Sequence, residues 1–445
     1  MKHLCLFAAM FLSLCASSQN WSYWPGTTDY PITKFYADTA SQRLYALGAF
    51  DTAGAVSAQG IAAWDGTEWS GLGCQPFLSP PSVTAATRYN GSLYFGGSFP
   101  DWNANDPCYV ARWNGTTLDS FAHFGSLSLK GMLQHQNDLI IYGTIDYVGS
   151  LLVNSIAAYD GANWSDIGHG NFSGAVSAAV VYHDTLYAAG FSAIDYSPYV
   201  FRYVNNTWQT VGQRFAGTIF NLCVYNGELY AGCYYSGSGQ GVPLAKLDTL
   251  TGNWATFGGG IQSVSGFSQI DGMAACSGSL YVVGWFDHAG GLPVNNIAKW
   301  DGFQWCSLGN GTTYQMRTCS DFNDTLYIAT GNVFDNVVST GFVQWIGGGY
   351  TDTCSVTAIA EVTPQTCILQ VFPNPATDKA NFTFSSQLFG GALLLYDASG
   401  QVIYCSNITE EQVSVDVSSF VKGLYFFCVE KNGATVTSGK VVIQQ

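Results

Sequence analysis

The chain has 445 residues, of which 47% are apolar, 15% aromatic and 10% charged, and it contains 51 glycines. This apolar content excludes a disordered chain, and the combination of aromatics with glycine predicts many short strands joined by tight turns. The formal net charge of −15 argues against a nucleic-acid partner, whose phosphates need a basic surface, and leaves cations, neutral sugars and proteins as partners.

Residues 1–18 have the pattern of a signal peptide. A basic start precedes the apolar run Leu4–Leu14, and Ala16 and Ser18 occupy the −3 and −1 positions of a cleavage before Gln19. The run is too short to cross a membrane as a mature helix, and no other stretch is long and apolar enough to do so. The sequence therefore predicts an exported chain without a transmembrane segment.

One phrase, a leucine followed by aromatic or aliphatic residues and a glycine, recurs seven times. Its leucines are Leu44, Leu93, Leu139, Leu186, Leu229, Leu280 and Leu326. Successive leucines are 49, 46, 47, 43, 51 and 46 residues apart. Seven copies at a nearly constant period predict a repeat architecture.

Each repeat has the same internal order of four short strands. The first two are separated by hairpin turns such as Asn90-Gly91 and Asn226-Gly227, in which both residues accept positive φ. A loop of variable length then leads to the third strand. Four short strands in a unit of this length predict a propeller blade, so the chain is predicted to be all-β with a seven-bladed β-propeller.

A second phrase ends the third strand of three repeats. It is WDGTEW at 64–69, YDGANW at 159–164 and WDGFQW at 300–305. We interpret it as the turn to the fourth strand, in which the Asp accepts backbone hydrogen bonds and the Gly adopts the left-handed conformation. The flanking aromatics are predicted to fill the gap between blades. Because the turn recurs around the ring, a structural role for its Asp is favoured over a catalytic one.

The repeats resemble those of kelch-like seven-bladed propellers over residues 19–355. The clearest copy is Leu280–Gly309, whereas only Gly96-Gly97 reproduces the double glycine of the kelch signature. Propellers of this class close by pairing strands from both ends of the chain, which leaves no open edge. We therefore predict that Asn20–Gly26 supplies the fourth strand of the last blade.

Residues 356–367 are a predicted linker, and residues 368–445 form a different module, a small antiparallel β-sandwich. Its phrases resemble, in order, the type A sorting domain of the type IX secretion system of Bacteroidetes. The matching positions are Pro373, Asn374, Pro375, Asp397, Gly400, Gly423 and Tyr425. The resemblance implies the type IX secretion machinery as a partner, with this domain read as an address. A permanent domain that assists binding is the alternative.

The sequence contains no recognisable catalytic or metal-binding motif. Its histidines beyond the signal peptide fall in different repeats without metal-ligand spacing, and there is no nucleophile elbow, P-loop or EF-hand. Of thirteen cysteines, Cys5 and Cys15 fall in the signal peptide, and the remaining eleven leave at least one thiol free or bonded to another molecule. We favour a binding module over an enzyme; a secreted polysaccharide-active enzyme or a copper oxidase of propeller fold is the alternative.

The loops between second and third strands carry a recurring acid, often beside an aromatic residue. The candidate ligand-binding residues are Asp51, Asp101, Trp102, Asp146, Tyr147, Asp195, Tyr196, Asp287 and Asp335. A carboxylate can accept hydrogen bonds from sugar hydroxyls while a ring stacks on the sugar, so these loops predict a binding face for a glycan or a surface protein. Capping of turns by Asp is the competing structural explanation. A ring of carboxylates also suits Ca²⁺.

Overall fold

The computed structural model describes two compact units, Met1–Val356 and Thr357–Gln445. The described residues are 21–23, 28–72, 81–99, 108–125, 128–236, 242–309, 311–312, 314–330, 333–334, 337–338, 341–345, 370–397, 402–431 and 434–444. The predicted signal peptide and linker lie outside them. Within these ranges, no helix has the length and apolar character needed to cross a membrane.

In the described part of the first unit, the strands form seven four-stranded antiparallel blades, each ordered below from its inner to its outer strand. Blades 1 to 3 are β2 (Ile32–Asp38), β3 (Arg43–Gly48), β6 (Ile61–Trp64), β7 (Trp69–Gly71); β8 (Ser82–Tyr89), β9 (Ser92–Ser98), β10 (Cys108–Trp113), β11 (Leu118–Gly125); and β12 (Ser128–His135), β13 (Asp138–Thr144), β16 (Ile156–Tyr159), β17 (Trp164–Asp166). Blades 4 and 5 are β18 (Phe172–Tyr182), β19 (Thr185–Ser192), β20 (Pro198–Val204), β21 (Thr207–Val211); and β22 (Ile219–Tyr225), β23 (Glu228–Ser236), β24 (Leu244–Asp248), β25 (Asn253–Ala255). Blades 6 and 7 are β27 (Phe267–Cys276), β28 (Ser279–Trp285), β31 (Ile297–Trp300), β32 (Trp305–Cys306); and β33 (Thr318–Phe322), β34 (Thr325–Thr330), β37 (Gly341–Trp345), β1 (Trp21–Tyr23).

Short two-residue strands decorate several loops between the second and third strands of a blade. They are β4 (Thr52–Ala53) with β5 (Val56–Ser57), β14 (Tyr147–Val148) with β15 (Leu151–Leu152), β29 (His288–Ala289) with β30 (Leu292–Pro293), and β35 (Val333–Phe334) with β36 (Val337–Val338); β26 (Ile261–Gln262) pairs with β29. We call each pair a ribbon. The ribbons are the regular part of the variable loops.

The seven inner strands form a closed ring. Each contacts the inner strand of the next blade, and β33 of blade 7 contacts β2 of blade 1. The outer strand of blade 7 comes from the other end of the unit, with Trp21 opposite Trp345 and Tyr23 opposite Val343. This arrangement is consistent with the predicted seven-bladed propeller, and the N-terminal strand supplies the outer strand of blade 7, as predicted.

The repeated leucines make the core of each blade. Each lies near the start of the second strand, and none exposes more than 5% of its surface. Burial of one leucine side chain contributes roughly 1.5–3 kcal/mol to the free energy of unfolding. The seven equivalent leucines therefore stabilise each blade in the same way.

Aromatic residues of the Trp-Asp-Gly phrase pack between blades, as predicted. Trp64 of blade 1 donates a hydrogen bond from Nε1 to the Tyr327 hydroxyl of blade 7 at 3.2 Å. The rings of Trp64 and Trp69 lie 5.6 and 5.0 Å from that of Phe342, also in blade 7. The same phrase in blade 6 packs Trp300 and Trp305 on Phe257 of the preceding connection.

The Asp of the phrase has the predicted turn role. Asp65 Oδ1 accepts hydrogen bonds from the backbone N–H groups of Thr67 and Glu68 at 2.8 and 2.9 Å. Asp301 does the same for Phe303 and Gln304, both at 2.8 Å. These bonds hold the pKa of the Asp65 carboxyl far below its usual range.

The second unit is a sandwich of two antiparallel sheets. One contains β38 (Gln370–Phe372), β39 (Lys379–Thr383) and β42 (Gln412–Asp416); the other contains β40 (Ala392–Tyr396), β41 (Val402–Asn407), β43 (Gly423–Lys431) and β44 (Ala434–Ile443), and a 3-10 turn spans Ser386–Leu388. The sheets enclose a core of their own, which includes Phe382, Leu393, Leu395 and Val441, all fully buried. The predicted sandwich is thus confirmed.

Candidate functional site

Two faces of the propeller follow from its topology. The loop face consists of the loops between second and third strands and the connections from each fourth strand to the next blade. The turn face consists of the tight turns, between first and second and between third and fourth strands. The predicted binding residues belong to the loop face.

The recurring acid of the loop face begins a ribbon. The carbonyl groups of Asp51, Asp146 and Asp287 accept hydrogen bonds from Ala58, Val153 and Val294, each at 2.9 Å, where the ribbon returns. Ribbons also pair with the segment that precedes their blade, as Tyr147 does with Gly125. At these positions the contact that shapes the loop is made by the backbone carbonyl of the acid and does not require its carboxylate.

The side chains of the predicted residues have different surroundings. Asp51 and Asp146 are exposed. Tyr147 is half-buried, because its ring lies directly over Gly125 and 5.7 Å from the ring of His123. Tyr196, in contrast, exposes 71% of its surface.

Two of the predicted carboxylates cap local structure. Asp195 accepts hydrogen bonds from the Ser197 N–H at 3.2 Å and the Tyr199 hydroxyl at 3.1 Å. The Asp287 carboxylate forms hydrogen bonds with the Ser263 hydroxyl at 2.9 Å and with the His288 ring at 2.6 Å. Partial burial opposes ionisation of Asp287, but these bonds hold its pKa below the usual value.

The predicted residues are spread around the loop face. Asp101, Trp102 and Asp335 lie outside the described residues. The described members sit in different blades, and no three His, Cys, Asp or Glu side chains among the described residues are gathered as a metal site requires. The structure therefore places the described members on one face without bringing them into one cluster.

Exposed apolar side chains concentrate on the loop face. Ten large apolar residues of the described propeller are exposed; six lie in the loops and connections of this face, and two lie at the ends of strands that adjoin it. The eight are Tyr30, Leu152, Ile194, Tyr196, Phe220, Val264, Trp285 and Tyr314, whereas Leu250 and Phe303 lie on the turn face. An uneven distribution of this kind marks a surface that meets a ligand or a partner.

A polar cavity opens where the loop face meets the central channel. It has a volume of about 410 Å³ and is lined by Thr33, Gln269, Asp271, Gln315 and Arg317. These residues come from blades 6, 7 and 1, at or just before the inner strands. The volume falls within the range of small-ligand sites, roughly 300–1,000 Å³.

The cavity is positioned by β-bulges. The inner strands of blades 1 to 6 each contain a register shift, at Thr33, Thr84, Lys130, Ser177, Phe220 and Asp271. A bulge leaves one residue unpaired and redirects its side chain. We call these six positions, with the equivalent Arg317 of blade 7, the bulge ring.

Asp271 is the carboxylate of the cavity. It accepts hydrogen bonds from the side-chain amides of Gln269 at 2.5 Å and Gln315 at 2.7 Å. Burial raises its pKa, and the two amides and the nearby Arg317 only partly oppose this. Trp285 is the direct cross-strand partner of Gln269, so an exposed indole lies beside the polar cavity.

Sequence reasoning missed the bulge ring, although a signal exists. From blade 2 to blade 7, each ring residue stands nine positions before the repeated leucine, as Lys130 does before Leu139 and Arg317 before Leu326. When the repeats of blades 2 to 7 are aligned, the residue at this position is in turn Thr, Lys, Ser, Phe, Asp and Arg. Variable and polar residues at a fixed place beside buried ones indicate a lined channel.

In the second unit, the Pro-Asn-Pro motif is tied to the last strand. The Asn374 amide accepts a hydrogen bond from the Val442 N–H at 2.8 Å and donates one to the Lys440 carbonyl at 3.2 Å. The peptide bonds before Pro373 and Pro375 are both cis. Tyr425 donates a hydrogen bond from its hydroxyl to the Val421 carbonyl at 2.7 Å. Asp397 follows β40 and Gly423 begins β43, while Gly400 lies outside the described residues.

Residues 370–444 match the family described as the secretion system C-terminal sorting domain. The chain carries a type IX secretion sorting domain. The sorting domain implies handling by the type IX machinery, and with it secretion or attachment at the cell surface. No curated protein matches the chain.

Three solved structures are among those found similar to this chain. PorZ, an essential bacterial surface component of the type-IX secretion system of Porphyromonas gingivalis, is 11% identical with a TM-score of 0.44, covering 95% of this chain and 60% of that one. The extracellular domain of BT3049 from B. thetaiotaomicron is 11% identical with a TM-score of 0.47, covering 95% and 57%. YCF48 from Cyanidioschyzon merolae is 11% identical with a TM-score of 0.47, covering 73% and 98%. The chain thus spans about 60% of the length of the first two proteins.

Proposed function

We propose that this protein is an exported recognition module that binds a carbohydrate ligand through the loop face of its propeller. The proposal includes removal of the signal peptide at residues 1–18 and a kelch-like propeller over residues 19–355. Delivery is the task of the sorting domain, and recognition is the task of the propeller.

The observation that carries the proposal is the concentration of exposed apolar residues on the loop face. Four of the eight are Tyr or Trp, namely Tyr30, Tyr196, Trp285 and Tyr314. Flat rings of this kind stack on the apolar faces of sugar rings. Carboxylates and amides beside them, such as Asp271 and Gln269, supply the hydrogen bonds that sugar hydroxyls need.

A protein ligand is the second candidate, and the aliphatic members of the same set favour it. Leu152, Ile194 and Val264 expose 79%, 93% and 83% of their surfaces and come from three different blades. Branched aliphatic side chains do not stack on sugars as rings do, but they suit the apolar centre of a protein interface.

The test compares the two faces with matched double variants. One variant carries Tyr196→Ala and Trp285→Ala on the loop face, and the other carries Leu250→Ala and Phe303→Ala on the turn face. The wild-type protein is screened on an array of bacterial and host oligosaccharides, and the affinity for the best one is measured by calorimetry. We expect the first variant to bind at least tenfold more weakly and the second to bind like the wild type.

Two results would contradict the proposal. The first is loss of binding in the turn-face variant alone, which would place the site on the wrong face. The second is binding of no oligosaccharide by a protein whose thermal unfolding is cooperative. The protein-ligand candidate would then be tested by crosslinking at position 194 on the surface of the producing cell.

A further inference from the structure

We propose that the channel cavity contains an anion subsite, formed by Arg317, that takes the carboxylate or sulfate group of an acidic saccharide. This inference deepens the proposed function and rests on it, because it names the ligand class for the same face. The subsite lies where the central channel opens between blades 6, 7 and 1.

The first argument is the placement of charge. The chain has a formal charge of −15 with only 15 lysines and arginines. The bulge ring nevertheless carries two cations, Lys130 and Arg317, against one carboxylate, Asp271. A third cation joins them, because the Lys34 ammonium donates a hydrogen bond to the Lys130 carbonyl at 3.1 Å.

The second argument is that several other cations of the propeller have partners. Arg43 pairs with Asp65 at 3.1 Å, Lys246 pairs with Glu228 at 3.0 Å, and Arg88 forms two bonds to Asp38. In the described residues, by contrast, no carboxylate lies within ion-pair distance of Lys34, Lys130 or Arg317. The channel mouth therefore has a surplus of positive charge that an anionic ligand would balance.

The third argument is the state of Asp271, which stands in the same cavity as Arg317. Its two oxygens are already engaged by the amides of Gln269 and Gln315. Arg317 lines the same cavity outside ion-pair distance of Asp271, and a guanidinium binds a carboxylate or sulfate through two parallel N–H bonds. Burial, and secondarily the charge of Lys130, lowers the pKa of Lys34, so the like charges at this mouth are close.

The saccharide, and not another anion, is indicated by what surrounds the subsite. Trp285, Tyr314 and Phe220 are exposed at the same mouth and provide ring surfaces for stacking. Asp271 disfavours polyanions such as nucleotides or polyphosphates, since it adds a negative charge to the cavity wall. A sugar with one charged group and several hydroxyls can bind the cation through its charged group and the carboxylate through its hydroxyls.

The experiment uses the purified full-length chain and four probes. They are trigalacturonate, its methyl ester, a sulfated disaccharide and hexaglutamate, and each is titrated at low and high salt. We expect an acidic saccharide to bind at least tenfold more tightly than the neutral ester at low salt, with a difference that shrinks at high salt. Equal binding of the ester, or tighter binding of hexaglutamate, would overturn the assignment.

Variants separate this inference from the proposed function. Arg317→Gln should weaken binding of the acidic saccharide at least tenfold without affecting binding of the ester. Arg202→Gln is the matched control, because Arg202 is an exposed cation of the third strand of blade 4 that bonds Gln209. If Arg317→Gln still binds the acidic saccharide and Trp285→Ala does not, the subsite assignment alone is overturned. Loss in Arg317→Gln with full binding in the Tyr196→Ala, Trp285→Ala variant would overturn the loop-face proposal alone.

Discussion

At the scale of single residues, a charged pair joins the first two blades. Arg88 of β8 donates from Nε to Asp38 Oδ1 at 2.9 Å and makes a second bond to Oδ2. Asp38 exposes only 3% of its side chain, whereas Arg88 exposes 27%. Burial opposes the ionisation of Asp38, but the arginine and the Ser41 hydroxyl hold its pKa below the usual value of 3.8.

The pair predicts a loss of stability in Asp38→Asn. Removing one partner of a buried pair leaves the other charge uncompensated, so the free energy of unfolding at pH 7 should fall by roughly 3 kcal/mol. Because the folded pKa of Asp38 is lowered, its contribution is present above pH 3.8 and disappears as the pH falls through the folded value. The deficit of the variant should therefore be large at pH 7 and small near pH 2.

The measurement is chemical unfolding of both proteins across that pH range. Asp51→Asn is the control, since Asp51 is exposed and its stability effect should be negligible at every pH. A deficit in Asp38→Asn that does not change between pH 7 and pH 2 would contradict the ion-pair explanation.

At the scale of elements, the strand Trp21–Tyr23 holds the ring closed. Trp21 is 1% exposed, belongs to the core shared by blades 6 and 7, and lies 4.5 Å from Trp345 between ring centres. Trp21→Ala should lower the free energy of unfolding by about 3–5 kcal/mol, as truncation of buried aromatics does. Urea unfolding measures this, with Tyr30→Ala as control, because Tyr30 exposes 61% of its surface. An unchanged midpoint in Trp21→Ala would mean that the closing strand is dispensable.

Most of the elements are predictable because their signals are local. The Asn90-Gly91 hairpin has φ values of 45° and 78°, which the residue types alone require. The repeated leucines and the Trp-Asp-Gly turns likewise depend on neighbours within a few positions. The acids of the loop face were also visible in sequence, but their division between backbone architecture and exposed side chains was not.

The aligned repeats mark the ring positions, but the contacts that shape the channel cavity were not predictable, for a physical reason. A bulge is a property of two strands in register, and a single strand does not reveal which residue is left unpaired. Asp271 and Gln315 are 44 positions apart and belong to different blades. Their contact depends on how two successive blades pack against each other, which no local pattern encodes.

At the scale of the whole molecule, the propeller and the sorting domain are separate compact units. The sandwich core is made from residues between Ala376 and Ile443, without any residue of the propeller. Each unit thus buries its own apolar surface, and this is the condition for independent folding.

Deletion of residues 370–445 should abolish arrival at the cell surface while the propeller still folds. The measurement is surface proteolysis and fractionation in a type IX-competent host, together with circular dichroism and thermal unfolding of the truncated protein. Asp195→Ala in the propeller is the control and should reach the surface normally. Normal surface levels of the truncated protein would contradict the role of the sorting domain.

The pairing of Trp21 with Trp345 also sets an order of events during synthesis. The two residues are 324 positions apart, so the first strand to leave the ribosome waits for almost the entire propeller before its partner exists. Until then the strand Trp21–Tyr23 lacks its partner, and its backbone groups are free to pair with other nascent chains. Cellular factors that bind extended segments therefore have a defined period of action, which ends when the first and last strands of the ring meet.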